Sequence, residues 1–458
     1  MDWLPTISDR AGPLYRQISD AIAADIARGL LRRGQKMPTH RQLAAQLDID
    51  LTTVTRAYGD ARHRGLLDAR VGQGTFVSET TTRAAADVPD GVNIDLSMNV
   101  PPQPLEAALD ARIEQAFAAI HKRDGLSSHL NYQEPGGSDA DRQVVAAWLR
   151  PRLGNVPSER VVIYPGSQPA IFNILLGYTK PGETVLTEAL TFPGMKAAAD
   201  KLGVRLVGVA MDGQGVLPDA LAKAIKLHKP KAVYLTPTMH NPTTATMGKA
   251  RRREVAEVVR RSKAMLIEDD AYGALDPAQQ LLAGLVGELT FLTISLSKCL
   301  APALRVSFLV APDRTAAQAL RSSLRATSQM APPLMSALVI EWLRSGEADR
   351  IITAIRNEAA GRQLLAARML KGQSYAADPK GHHLWLPLPD RWNRADFIAE
   401  LLRQGLAVVG SEAFATDQMP AHAVRLCLGA ARNRAELSTA LQLLAGTLRR
   451  TTTSAQVV

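Results

Sequence analysis

Lys298 is the residue from which chemistry can be built. It closes Ser295-Leu296-Ser297-Lys298, and Arg305 stands seven residues further on. Upstream lie Ser167 and Gln168 after Pro165-Gly166, Phe192 before Pro193-Gly194, Asn241 before Pro242-Thr243, and Asp269 three residues before Tyr272. A lysine amine condenses with an aldehyde as a Schiff base, and a carboxylate keeps a pyridine nitrogen protonated so that the ring withdraws electrons. Tyr and Asn donors hold a phenolic oxygen, an aromatic ring covers one face, and Ser, Arg and helix amides bind a phosphate. Lys298, Asp269, Tyr272, Asn241, Phe192, Ser167, Gln168, Ser295 and Arg305 fill these roles, which together describe a site for pyridoxal 5'-phosphate (PLP).

Taken singly, each residue has a plainer reading: a lysine after a strand is usually solvated, an Asp there shapes a turn, and a Phe is core. Ser295-x-x-Lys298 also fits a serine-acylating signature, but no Lys-Thr-Gly triplet accompanies it. Gly-x-Gly-x-x-Gly, P-loop and His-Glu-x-x-His patterns do not occur, so nucleotide and zinc chemistry lack support. Cys299 and Cys427 are the only cysteines, too few for a disulfide scaffold or a four-cysteine zinc site, and Cys299 reads as packing.

The elements that must position these residues follow from apolar patterning. Short apolar runs at 161–164, 184–186, 204–209, 232–235, 264–267 and 291–294 alternate with amphipathic stretches such as 249–262. This alternation predicts a mainly parallel sheet covered on both faces, with the informative residues just beyond the carboxyl ends of its strands. After Pro312 helices dominate, and 382–428 adds strand-like pieces, predicting a smaller C-terminal α+β subdomain.

Residues 12–78 read differently. Leu14, Ile18, Ile22 and Ile26 recur every four residues on one helix face. A second helix from about Thr39 to Leu47 turns its Leu43, Ala44 and Leu47 inward. A third runs to about Arg64, with Val54, Ala57 and Tyr58 inward, and a hairpin follows over 66–77. Two helices joined by a tight turn plus a hairpin describe a winged helix-turn-helix, mainly α with a β-wing. Its third helix presents Thr52, Thr53 and Arg56 outward, and the Gly72-Gln73-Gly74 wing tip can approach a phosphate closely. Residues 79–94 suit an exposed linker reaching ~20 Å as a coil; 95–446 form the large domain and 447–458 a frayed tail.

Net charge is +10 with a pI near 9.7, which raises the expectation of a nucleic-acid partner. Residues 1–78 carry eleven Lys/Arg against eight Asp/Glu, so no basic arm exists and the DNA argument rests on motifs. No run reaches membrane-span length, and the start lacks a basic region followed by an apolar one. The expected location is the cytoplasm, with no membrane partner.

Pro13-Leu14-Tyr15, Met37-Pro38-Thr39, Arg41-Gln42-Leu43-Ala44, Thr53-Val54-Thr55-Arg56-Ala57-Tyr58 and Gly74-Thr75-Phe76-Val77 closely resemble the GntR family of bacterial regulators. That resemblance implies DNA contacts from Arg41, Thr52, Arg56 and Gly74. Asn241-Pro242, Asp269-x-x-Tyr272 and Ser295-x-x-Lys298 with Arg305 resemble fold-type I aminotransferases. That resemblance implies an α/β PLP-dependent transferase-like fold, with Arg425 gripping an effector carboxylate. It also implies that Tyr132, in Asn131-Tyr132 before Pro135-Gly136-Gly137, reaches the phosphate of a partner subunit. Thr244 and Ser307 stand where that family usually has glycine.

A GntR-type reader fused to an aminotransferase-like domain is the layout of the MocR subfamily, which the whole chain resembles. The resemblance implies a homodimer, head-to-tail, on double-stranded operator DNA. The expected mechanism is that PLP rests as an internal aldimine on Lys298 and that an amino acid or amine effector forms an external aldimine, changing operator binding. Two alternatives stay open: a catalytically active aminotransferase carrying a DNA-binding unit, and a sensor of PLP itself.

Overall fold

The computed structural model describes residues 3–5, 13–27, 30–31, 34–63, 66–70, 74–77, 94–417 and 420–450. The chain forms two compact units, residues 1–92 and 93–458.

In the first unit, helices Leu14–Ala27, His40–Leu47 and Leu51–His63 precede an antiparallel hairpin of Leu67–Arg70 and Gly74–Val77. The winged helix-turn-helix read from the sequence is thus the observed fold. Ile18, Ile22, Leu43, Val54, Ala57, Tyr58, Leu67 and Val77 are buried in one core, each large aliphatic one stabilising by about 1.5–3 kcal/mol. Thr39 caps the second helix in a capping box with Gln42. Asp48, at φ 51°, ends that helix in the left-handed region. The tight turn that follows brings the third helix across it. The middle of the wing tip (71–73) and the linker lie outside the described residues.

The second unit is built on a seven-stranded sheet. In spatial order its strands are Val161–Tyr164, Ser307–Val310, Thr290–Ser295, Met265–Asp270, Ala232–Leu235, Thr184–Glu188 and Arg205–Val209. Six run parallel, and Ser307–Val310 is antiparallel to both its neighbours. Its reversal follows from a short connection: only residues 296–306 separate it from the preceding strand, too few for a helical crossover. Most of these strands are buried on both faces, which is why they read as unbroken apolar runs rather than alternating ones. Strands 265–270 and 290–295 run further than the sequence indicated. Asp269, Asp270 and Ser295 therefore sit within the last turns of pleat, not beyond them.

A smaller α+β subdomain follows, with a four-stranded antiparallel sheet of Ala376–Ala377, His383–Pro387, Ala423–Cys427 and Val409–Gly410. The 23-residue helix Glu347–Met369 joins the two parts: Ile351, Ile352 and Ile355 belong to the large core and Ala366 to the small one. The last helix runs Arg434–Arg449 with Leu448 buried, three residues beyond the domain end expected at 446; residues 451–458 lie outside the described residues. No helix among the described residues is long and apolar enough to cross a membrane.

Candidate functional site

The carboxyl ends of the parallel strands open into a cavity of about 140 Å³. It is lined by Ser167, Gln168, Phe192, Asn241, Asp269, Tyr272, Ser295, Lys298 and Arg305, together with Thr236, Ala271 and Ser297. All nine residues singled out for one subunit's cofactor site thus meet in one place, delivered by separate strands and loops.

Asp269 forms the floor. It is buried; one carboxylate oxygen accepts the Tyr234 hydroxyl at 2.6 Å and the other accepts Thr293 Oγ1 at 3.2 Å. Burial pushes its pKa up to about 6, while both hydrogen bonds pull it back towards the ionised form. Neighbouring Asp270 is consumed differently, by two bonds to the Arg152 guanidinium at 2.6 and 3.1 Å. Burial lowers the pKa of Lys298, which favours the uncharged, nucleophilic amine.

Two donors face the cavity because their other hydrogen-bonding capacity is already taken. Asn99 Nδ2 donates to the Tyr272 hydroxyl at 2.5 Å, which leaves the phenolic hydrogen available to donate. Arg425 donates to Asn241 Oδ1 at 2.9 Å, so the Asn241 amide nitrogen keeps its two hydrogens. Arg425 is itself buried outside the cavity lining, over the Phe414 ring at 5.0 Å from its centroid.

The opposite end is shaped for an anion. The helix Ser167–Tyr178 points its N-terminus into the cavity, and Ser167 Oγ is buried with no hydrogen-bond partner among the described residues. Arg305 adopts φ 51° and donates to Pro165 O at 3.0 Å. Gly166, at φ 114°, permits this approach; a Cβ there would collide with the Arg305 guanidinium. An orphaned buried hydroxyl, a guanidinium and a helix N-terminus suit a phosphate. With an amine, a carboxylate and two donors at the other end, the donor set fits PLP.

Several contributors carried no sequence signal. Asn99 lies 199 residues from Lys298, whose Nζ donates to its carbonyl at 2.5 Å. Tyr234 sits in a buried strand and reads as core. Glu188 Oε1 accepts the amide of Thr236, a cavity residue, at 2.8 Å, and His240 Nε2 lies 4.0 Å from Glu188 Oε2. Tyr132 is outside its own subunit's cavity and 82% exposed. Thr244 holds φ 65°, the left-handed region in which glycine is unstrained, which accounts for glycine being usual there. The Ser307 hydroxyl is buried without a hydrogen-bond partner among the described residues.

In the first unit Arg41, Thr52 and Arg56 are exposed and Thr53 half-buried. The Thr52 hydroxyl donates to Asp50 at 2.5 Å, and Arg56 lies 4.7 Å from the Tyr15 ring centroid. Gly74, at φ 112°, opens the second wing strand.

Residues 92–444 match the family described as aminotransferase class I and II, and residues 14–77 match bacterial regulatory proteins of the gntR family. The HTH-type transcriptional regulator YdeF of Bacillus subtilis is 29% identical over 449 residues, 97% of this chain and 96% of that protein. The vitamin B6 salvage pathway transcriptional repressor PtsJ of Salmonella typhimurium is 29% identical over 93% of this chain and 97% of its own. Among solved structures, the α-aminoadipate aminotransferase LysN of Thermus thermophilus, complexed with N-(5'-phosphopyridoxyl)-L-leucine, superposes with a TM-score of 0.71. It is 25% identical and covers 78% of this chain and 92% of that one. The chain belongs to the aminotransferase class I and II family and carries a gntR-family winged helix-turn-helix ahead of that domain, which makes it a MocR-type transcriptional regulator.

Proposed function

We propose that this regulator holds PLP on Lys298 and changes its affinity for operator DNA when an amino compound takes the lysine's place. The observation that carries the reading is the single cavity joining Lys298, Asp269, Tyr272, Asn241, Phe192, Ser167, Ser295 and Arg305. When bound, PLP supplies an electrophilic carbon that joins reversibly to primary amines and a ring that draws electrons from them. The chain's own residues do the rest. Lys298 supplies the amine, and Asp269 holds a negative charge against the pyridine nitrogen. Tyr272 and Asn241 donate to the phenolic oxygen, and Phe192 covers a ring face. Ser167, Gln168, Ser295 and Arg305 form the phosphate end. Arg425, braced by Asn241 and Phe414, takes an effector carboxylate.

Arg41, Thr52, Thr53, Arg56 and Gly74 form the DNA-facing set, with the arginines forking onto guanine or phosphate. The regulator acts as a head-to-tail homodimer, in which the exposed Tyr132 serves the partner's phosphate. An effector shifts DNA affinity only through its differential affinity for two states of the protein, so slow or absent turnover suits the role. A second reading, in which PLP is itself the signal, is favoured by the likeness to PtsJ along nearly the whole chain.

The test is a visible absorption titration of the purified protein with PLP and then with a panel of amino acids and amines. A lysine-bound band that one amine shifts and that then persists is the expected result. A protein that takes up no PLP overturns the reading. Release of a keto acid makes the chain an aminotransferase first, and a change in operator binding on PLP alone selects the second reading.

A further inference from the structure

The chain enters the large unit as a short strand, Ile94–Asp95, parallel to Leu406–Ala407. The Leu96 amide donates to Ala407 O at 3.0 Å, and Leu96 O accepts the Cys427 amide at 2.9 Å. These bonds fix residues 94–96 to the small subdomain. The next residues turn towards the cavity: Ser97 O accepts the Arg425 guanidinium, Asn99 O accepts Lys298 Nζ, and Asn99 Nδ2 donates to Tyr272. Cys427 Sγ lies 3.5 Å from Asn99 Oδ1 and 3.3 Å from Val100 O. Gly429 gives this stretch its passage, since a Cβ there would collide with Val100 O. The stretch that directly follows the linker from the DNA reader therefore touches three of the side chains on which the proposed function rests.

The contacts differ in kind. Arg425 has enough N–H groups to keep Ser97 O and Asn241 while a carboxylate takes another, so it anchors the segment. The bond from Lys298 needs a hydrogen on Nζ that points away from the cofactor. Given the function proposed above, Lys298 alternates between being joined to the cofactor's aldehyde carbon and being a free amine. When an effector amine takes its place, one C=N bond forms as the other breaks, and the two protons lost by the effector nitrogen end on Nζ. We propose that the main-chain carbonyl of Asn99 receives this released amine, so that the segment 97–100 reads the chemical state of Lys298 and transmits it to the chain leading to the DNA reader. The contact is full in one state and lost in the other, which is the differential interaction that coupling requires.

The experiment uses the full-length protein loaded with PLP, a duplex selected by it from a random-sequence pool, and the common amino acids screened for a spectral shift. The amino acid that shifts the spectrum should slow hydrogen exchange of the amides at 96–100 and change operator affinity about tenfold. In Lys298→Ala loaded with the preformed adduct of PLP and that amino acid, the adduct's absorption should be present while exchange and operator affinity keep their effector-free values. A wild-type response in that variant overturns the proposal. Gly429→Ala, which pushes on Val100 O from outside the cavity, gives an independent arm: the spectral shift should survive and the operator response should fall about tenfold. An unaltered operator response in Gly429→Ala also overturns it. Absence of any lysine-bound band in the wild type instead overturns the cofactor reading itself, a result distinct from a band without coupling.

Discussion

The Tyr234 hydroxyl donates to Asp269 at 2.6 Å in the buried floor of the cavity. Burial pushes the Asp269 pKa up to about 6, and this bond is the strongest of the influences that hold it down. Asp269 can keep a pyridine nitrogen protonated only while it is itself ionised, so Tyr234 sets the pH range over which the site works. Tyr234→Phe should raise the Asp269 pKa further. Affinity for PLP should then fall by about tenfold at neutral pH, the scale of a lost hydrogen bond to a charged group, and recover at higher pH. Dissociation constants measured across pH check this. A pH profile identical to wild type would remove Tyr234 from the site.

Glu188 offers a pH prediction for stability. It is fully buried, and burial, opposed by the Thr236 amide, raises its pKa from 4.5 to about 8. Between those values the folded chain retains a proton that the unfolded chain has lost, so the contribution of Glu188 to stability falls as pH rises and is gone above about 8. His240, which burial lowers to about 4, acts in the opposite direction only up to its ordinary value of 6.5. Buried Glu268, raised to about 7, acts in the same direction as Glu188 up to that value, so the window that isolates Glu188 is about pH 7 to 8. Thermal unfolding should show wild type losing stability across it. Glu188→Gln, which keeps the acceptor for Thr236, should flatten the curve and be more stable above pH 8 by on the order of a few kcal/mol. Parallel curves for the two proteins would mean that Glu188 is ionised in the fold.

The gathered site was legible because its residues lie at the carboxyl ends of strands that the sequence marks as apolar runs, and a parallel sheet brings those ends to one edge. The reversed strand Ser307–Val310 was not legible, because an apolar run carries no sign of its direction. Asn99 and Tyr234 escaped for a different reason. Each acts on a neighbour supplied by another segment: Asn99 on Tyr272, 173 residues away, and Tyr234 on Asp269, 35 residues away. Their identities as a loop amide and a core tyrosine are unremarkable until the sheet is assembled. Asp270 shows the converse, since only the fold reveals that Arg152 claims it and leaves Asp269 to the cavity.

Arg56 lies over the Tyr15 ring on the exposed face of the third helix, 4.7 Å from its centroid. The stacking contributes about 0.5–1 kcal/mol to the reader unit, whereas an arginine on guanine or phosphate is worth about 1–3 kcal/mol of binding. Arg56→Ala should therefore leave the unit folded and the PLP spectrum unchanged while operator affinity falls tenfold or more. Gel-shift titrations at fixed salt measure it. Unaltered affinity would sink the assignment of this helix face to DNA.

Ser167 separates a residue kept for a ligand from one kept for the fold. Its hydroxyl is buried at the start of the helix Ser167–Tyr178 and makes no hydrogen bond among the described residues. An unsatisfied buried hydroxyl costs about 1–3 kcal/mol, so deleting it should not weaken the protein without its cofactor and should raise its melting temperature slightly. The same deletion removes one donor from a bound phosphate, and PLP should dissociate about five- to tenfold more readily, the equivalent of about 1 kcal/mol. Ser167→Ala is thus expected to move the two quantities in opposite directions. Melting without PLP, followed by a PLP titration, tests both on one preparation. A variant that melts lower and binds PLP as tightly as wild type would show that the hydroxyl serves the helix, and the phosphate end of the cavity would then rest on Gln168, Ser295, Arg305 and the helix amides.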